Sequence, residues 1–187
     1  MLKFGGAFCV FYFGTLAIIG LSSPDNFYSS FVAAYLNFIA PLRFSLLRGA
    51  GMLLSAFGYS SSLKDDYTIL LNSGEGVRMV YSCIGYGVMS FWMAFVFANR
   101  GGWKKKAVWI LIGLFALWII NVWRIALLLM TMKKHLAFPL GWDHHTWFNI
   151  AAYLLIFAMI YFYDRSFGKS NETLINTNAN QNTQALQ

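Results

Sequence analysis

The chain has 187 residues, 58% of them hydrophobic and 11% charged, with a formal net charge of +7. Soluble domains carry about 25% charged residues, so this composition excludes an ordinary soluble domain and points to an integral membrane protein. The positive balance calls for no nucleic acid, because cytoplasmic anchoring of a membrane protein accounts for it.

Four apolar stretches approach or exceed the roughly 20 residues that cross a hydrocarbon core: Phe4–Leu21, Met79–Ala98, Ala107–Met130 and Thr146–Tyr163. The first follows Lys3 in the manner of a signal peptide, but its length and the lack of a clean small-x-small site make an uncleaved helix the expectation. Cys9, deep in that run, reads as a small apolar filler. Residues Phe27–Phe57 are apolar but interrupted by Pro41, Arg43 and Arg48. They are expected to form two short helices, about Ser30–Ala40 and Ser45–Phe57, broken at Pro41. In Gly58–Arg78 a β-like run, Tyr67–Leu71, leads into the turn residues Asn72, Ser73, Gly74 and Gly76, which predicts a small extracytoplasmic hairpin-like insertion. The fold expected is an all-α polytopic transmembrane bundle of about six helices. It forms one integral membrane domain over residues 1–169. The Asn-, Gln- and Thr-rich stretch 170–187 reads as a disordered cytoplasmic tail.

Basic residues set the expected orientation. With a cytoplasmic N-terminus, Lys3, Arg43, Arg48, Arg100, Lys104, Lys105, Lys106, Arg165 and Lys169 fall inside, against Lys64, Arg78, Lys133 and Lys134 outside. That distribution obeys the positive-inside rule. It also brings Cys83, Arg124 and His145 to the outer face, each near the end of a different apolar segment. Cys83 is expected about four residues into its helix, or roughly 6 Å deep at helical rise. Asn121 and Arg124, three residues apart, share a helix face. Arg124 lies six residues before Met130, roughly 9 Å below the outer end, a depth that is costly without water or a partner.

These residue types suit acyl transfer. A cysteine near a helix start meets unpaired N–H groups and a positive dipole end, which favour a thiolate. Gly85 and Gly87 allow close backbone approach. His145 can take a proton and return it to a leaving amine, and Arg124 can stabilise a developing oxyanion. Such a site attacks an acyl carbonyl, forms a thioester and passes the acyl group to a second nucleophile or to water. Supporting candidates are Asn121, Asp143, His144 and Glu75, with Arg78 and Tyr86 also placed at the mouth of the site. Adjacent histidines on a helix start diverge by about 100°, and no HxxxH or HExxH spacing occurs. No metal or other cofactor is therefore expected. Cys9 and Cys83 are not expected at one depth, which argues against a disulfide. Two other classes stay open. One is a scaffold or assembly factor whose polar residues only pack helices; the other is a transport subunit lined by Arg124 and Asn121.

The segments Val80-Tyr-Ser-Cys83-Ile-Gly85, Asn121-Val-Trp-Arg124-Ile125 and Asp143-His-His145 with Asn149 and Tyr153 together resemble the exosortase/archaeosortase family over about residues 58–163. This chain has Ile84 where many members carry Ser, and Asn149 where many carry Gly. The resemblance implies a membrane cysteine transpeptidase with Cys83, Arg124 and His145 as its catalytic set. It further implies exported protein substrates bearing a C-terminal transmembrane sorting signal, transfer to a glycolipid or polysaccharide acceptor, and multi-pass residence in a bacterial inner membrane with the site on the periplasmic face.

Overall fold

The computed structural model describes residues 2–23, 27–99, 101–134, 147 and 149–166. In chain order these residues form α1 (Leu2–Ser22), α2 (Ser30–Tyr35), α3 (Ile39–Ala56), β1 (Ser61–Asp65), β2 (Thr68–Leu71), β3 (Gly76–Arg78), a 3-10 turn (Tyr81–Ile84), α4 (Tyr86–Ala98) and α5 (Trp103–Lys134). A further helix, α6, covers 149–166.

Four helices make an antiparallel bundle. α1 runs against α4, as Phe4 meets Phe91 edge-on, Tyr12 meets Tyr86 with 5.5 Å between ring centroids, and the Ser23 and Tyr81 hydroxyls lie 3.3 Å apart. α4 returns to the level where α1 began, so Lys3, Asn99 and Lys106 line one cavity. Lys106 there donates to the Phe97 carbonyl at 2.8 Å, satisfying an orphan acceptor at the end of α4. α5 climbs back, and α6 descends beside it, with Tyr163 packed edge-on against Trp92 and Trp109.

Two apolar cores follow from this arrangement. One joins Met89, Trp92, Val96, Leu117, Ile156, Met159 and Tyr163 near the lysine end. The other joins α3, the sheet and the far half of α5 through Leu46, Leu47, Leu54, Ile69, Met79, Ile84 and Leu129. In α1 Thr15 alone is buried, and its apolar residues are half-buried or exposed. α1 and Trp103–Met132 are each long and apolar enough to cross a membrane.

Residues 27–57 depart from the expected pattern. The break falls at Leu36–Phe38, not at Pro41, and the helices span 30–35 and 39–56. Pro41 sits in the first turn of α3, where its missing N–H costs no helical hydrogen bond. The Asn37 side-chain oxygen accepts from the Ala40 N–H at 3.2 Å. α3 starts midway along the bundle, since Ile39 shares a cavity with Gly14, Thr15, Met89 and Met93. It then runs away from the lysine end. Arg43 and Arg48 were expected beside Lys3, but the structure places them in the opposite half. Arg43 lies over the ring of Tyr67, 3.7 Å from its centroid, and beside Tyr81.

Residues 61–78 fold into a three-stranded antiparallel sheet in the order β1-β2-β3. Ile69 and Leu71 of β2 are buried and join the α3 core. The sheet thus lies along the helix and ends at Arg78, with two residues between it and the turn that carries Cys83.

Candidate active site

Cys83 stands outside any α-helix. Val80 is extended, residues 81–84 make one 3-10 turn, and the Cys83 N–H bonds the Val80 carbonyl at 2.9 Å. Gly85 then takes a left-handed conformation, φ +79°, and α4 begins at Tyr86. This corrects the expectation of a cysteine about four residues inside a helix starting at Met79. The residue that makes the turn possible is Gly85, because a left-handed φ is costly for residues with a Cβ.

The turn is gripped from α5. Asn121, 9% exposed, donates its side-chain amide to the Ile84 carbonyl at 3.1 Å. One helical turn on, Arg124 donates Nη1 to the Cys83 carbonyl at 3.4 Å and Nη2 to the Cys83 sulfur at 3.2 Å. The spacing of three in Asn-x-x-Arg therefore sets two donors over consecutive carbonyls and carries the guanidinium onto the thiol. A fixed guanidinium at this distance stabilises negative charge on sulfur. Because α5 extends to Lys134, Arg124 lies ten residues from its end, about 15 Å at helical rise. That is deeper than the sequence suggested. Cys83 and Arg124 are both half-buried.

Two cavities meet at Arg124. One, of about 330 Å³, is lined by Arg78, Val80, Cys83, Arg124, Leu128 and Met132, among others. The other, of about 230 Å³, is lined by Tyr12, Gly85, Tyr86, Asn121, Arg124 and Asn149, among others. Asn149 of α6 thus shares a cavity with Arg124. Glu75 sits in the β2–β3 turn, next to Gly76 of the larger cavity's wall, without lining it. Arg78 and Tyr86 each line one of the cavities. Tyr12 escaped the sequence reading, because a tyrosine within the apolar run of α1 carries no local sign of facing a site formed about 70 residues later in the chain. Cys9 is free and exposed on α1. Asp143, His144 and His145, together with the tail 170–187, lie outside the described residues. Among the described residues, no group of three or more His, Cys, Asp or Glu side chains gathers to hold a metal ion.

Comparison with known proteins matches residues 5–162 to the family described as transmembrane exosortase. The match starts inside α1, so it includes the first helices, which the local motifs over 58–163 had left generic. No curated protein and no solved structure matches the chain. With a family match over most of its length, the chain belongs to the transmembrane exosortases and is a membrane protein.

Proposed function

We propose that the protein is a membrane-embedded cysteine transpeptidase that cleaves a C-terminal sorting signal of exported proteins and transfers them to a surface acceptor. The observation that carries this reading is the 3.2 Å contact between the Arg124 guanidinium and the Cys83 sulfur. A bundle built only for packing has no need to hold a cation against a thiol.

In this reading the Cys83 thiolate adds to the carbonyl of the scissile peptide bond. The oxyanion that forms is stabilised by Arg124. The C–N bond then breaks, His145 gives its proton to the leaving amine, and a thioester remains on Cys83. A hydroxyl or amine of the acceptor attacks the thioester, passes its proton to His145 and releases the thiolate. His145 is the proposed base; His144, Asp143, Asn149 and Glu75 support or contact substrate. An apolar cavity of about 500 Å³ between α1, α3 and α4 shares Tyr86 with the site, which suits a substrate carrying its own apolar segment. Lys3 and Lys106 gather at one end of the bundle, and Cys83 lies toward the other. With the end that holds Lys3 and the Lys104–Lys106 cluster taken as cytoplasmic, this supports a site on the outer face of the inner membrane.

The test is co-expression with a reporter carrying a candidate sorting signal, comparing wild type with Cys83→Ala, Arg124→Ala, His145→Ala and His144→Ala. Cys83→Ala is expected to abolish processing at unchanged membrane levels, and Arg124→Ala to slow it by about 10²–10³. Continued processing by Cys83→Ala would remove the nucleophile from the scheme.

A further inference from the structure

Arg43 is 4% exposed, and its Nε is buried with no hydrogen-bond partner. Its contacts are with rings: Cζ lies 3.7 Å from the Tyr67 centroid and 5.4 Å from that of Tyr81. Among the described residues it has no carboxylate partner. Aromatic faces attract a guanidinium, but they return little of the hydration an interior cation gives up, and such groups are normally paired. The side chain lines a cavity of about 390 Å³ with Ser22, Asn37, Phe44, Asp66, Tyr67 and Tyr81. The Ser22 hydroxyl oxygen is likewise buried without a partner. The Asn37 side-chain oxygen is occupied by the Ala40 N–H at 3.2 Å, so its amide N–H₂ remains as the donor group. The positive end of the α3 dipole adds to the field here, since Ala40 and Pro41 are also on the wall. Arg48 stacks on Phe44, its Cζ 4.6 Å from the ring centroid.

The geometry points to a binding site for the phosphate group of a membrane amphiphile, held by Arg43, Ser22 and Asn37. Three donor groups reach the cavity from the end of α1, the α2–α3 link and α3 itself. Donors converging from three elements suit the tetrahedral oxygens of a phosphate, whereas a carboxylate offers its acceptor sites near one plane. The volume leaves room for a substituent on the phosphate. Asp66 on the wall offsets part of the positive charge, so the apolar tail of an ester supplies its margin over inorganic phosphate. Phe44 is exposed, so an apolar tail can leave the cavity along a lipid-facing surface. The site is separate from the Cys83 chemistry and stands whether or not that chemistry is as proposed above.

The full chain, purified in a non-ionic detergent, tests this by native mass spectrometry and ligand titration with dodecyl phosphate, dodecanoate and inorganic phosphate. Dodecyl phosphate is expected to bind saturably, one per chain, and tighter than either other probe. Ser22→Ala and Arg43→Gln should each weaken it about tenfold or more, as loss of a hydrogen bond to a charged group does. Equal binding of dodecanoate would overturn the phosphate assignment. Inorganic phosphate competing at the same concentration would assign the cavity to free phosphate and overturn the amphiphile. Binding unchanged in both variants would overturn the site. Should Arg43→Gln fail to fold, the Ser22→Ala titration and the ranking of probes on wild type still decide the matter.

Discussion

Replacing Gly85 by alanine isolates the device that positions Cys83. Two costs are legible in the geometry. Gly85 has φ +79°, and a left-handed backbone costs a residue with a Cβ about 1–2 kcal/mol. The new Cβ would also stand 2.7 Å from Nδ2 of Asn121, which is closer than real Cβ contacts allow. Asn121 is buried and bonded to the Ile84 carbonyl at 3.1 Å, so moving it leaves a buried amide and carbonyl unpaired, costing about 1–3 kcal/mol more. The single variant should therefore lose about 2–5 kcal/mol of unfolding free energy. A double-mutant cycle separates the parts. In an Asn121→Ala background the clash is gone and the Ile84 carbonyl is already unpaired, so Gly85→Ala should cost only the backbone term of about 1–2 kcal/mol. Unfolding titrations of the four proteins in micelles measure both numbers. Equal cost of Gly85→Ala in the two backgrounds would refute the claim that Asn121 packs on this glycine to hold the turn.

Other perturbations address separate parts of the molecule. A Cβ at Gly113 would overlap the indole of Trp92, which is fully buried and donates to the Trp109 carbonyl at 3.0 Å. Gly113→Ala should thus lose about 1–3 kcal/mol of stability, and an unchanged melting curve would contradict this close approach of α4 and α5. Arg124→Lys keeps the charge but lacks the planar fork that reaches both the carbonyl and the sulfur of Cys83. Reporter processing should fall by about 10–100-fold, and a rate equal to wild type would show that charge alone suffices. In the β1–β2 turn, the Tyr67 N–H donates to the Asp65 carboxylate at 2.8 Å. That bond, ahead of the contributions of Thr68 and Arg78, holds the carboxyl below its ordinary value. A depressed carboxylate stabilises the fold above its ordinary value and stops doing so as pH falls through the folded one. Exchange protection of the Tyr67 amide should therefore hold from pH ~8 to ~5 and decline only below pH ~4, with the decline absent in Asp65→Ala. A decline above pH ~5 would contradict the assignment.

What the sequence revealed and what it concealed divide along a physical line. Apolar length marks α1 and α5, because burial in lipid depends on each segment's own composition. The spacing of Asn121 and Arg124 also announces a shared face, since the helical period is local. The 3-10 turn at Cys83 has no such mark. Met79, Val80 and Tyr81 continue the apolar run, and the boundary is imposed by Gly85 and by two donors from a helix 37 and 41 residues further along the chain. Arg43 and Arg48 misled for the same reason. A charge count places them beside Lys3, whereas their partners, the rings of Tyr67, Tyr81 and Phe44, include two that reach Arg43 only once the sheet has folded along α3.

That distinction bears on how the site works. Cys-x-Gly and Asn-x-x-Arg, read separately, are a thiol near a glycine and a polar pair on an apolar helix. In three dimensions each explains the other: Gly85 exposes the Ile84 carbonyl to Asn121, and that contact fixes the register in which Arg124 meets the sulfur. Shifting α5 by one residue would rotate its side chains by about 100° and turn the guanidinium away. Holding the thiol is therefore a property of the α4–α5 packing, and the cores around Trp92 and Ile84 that set this packing belong to the site as much as the side chains that touch Cys83.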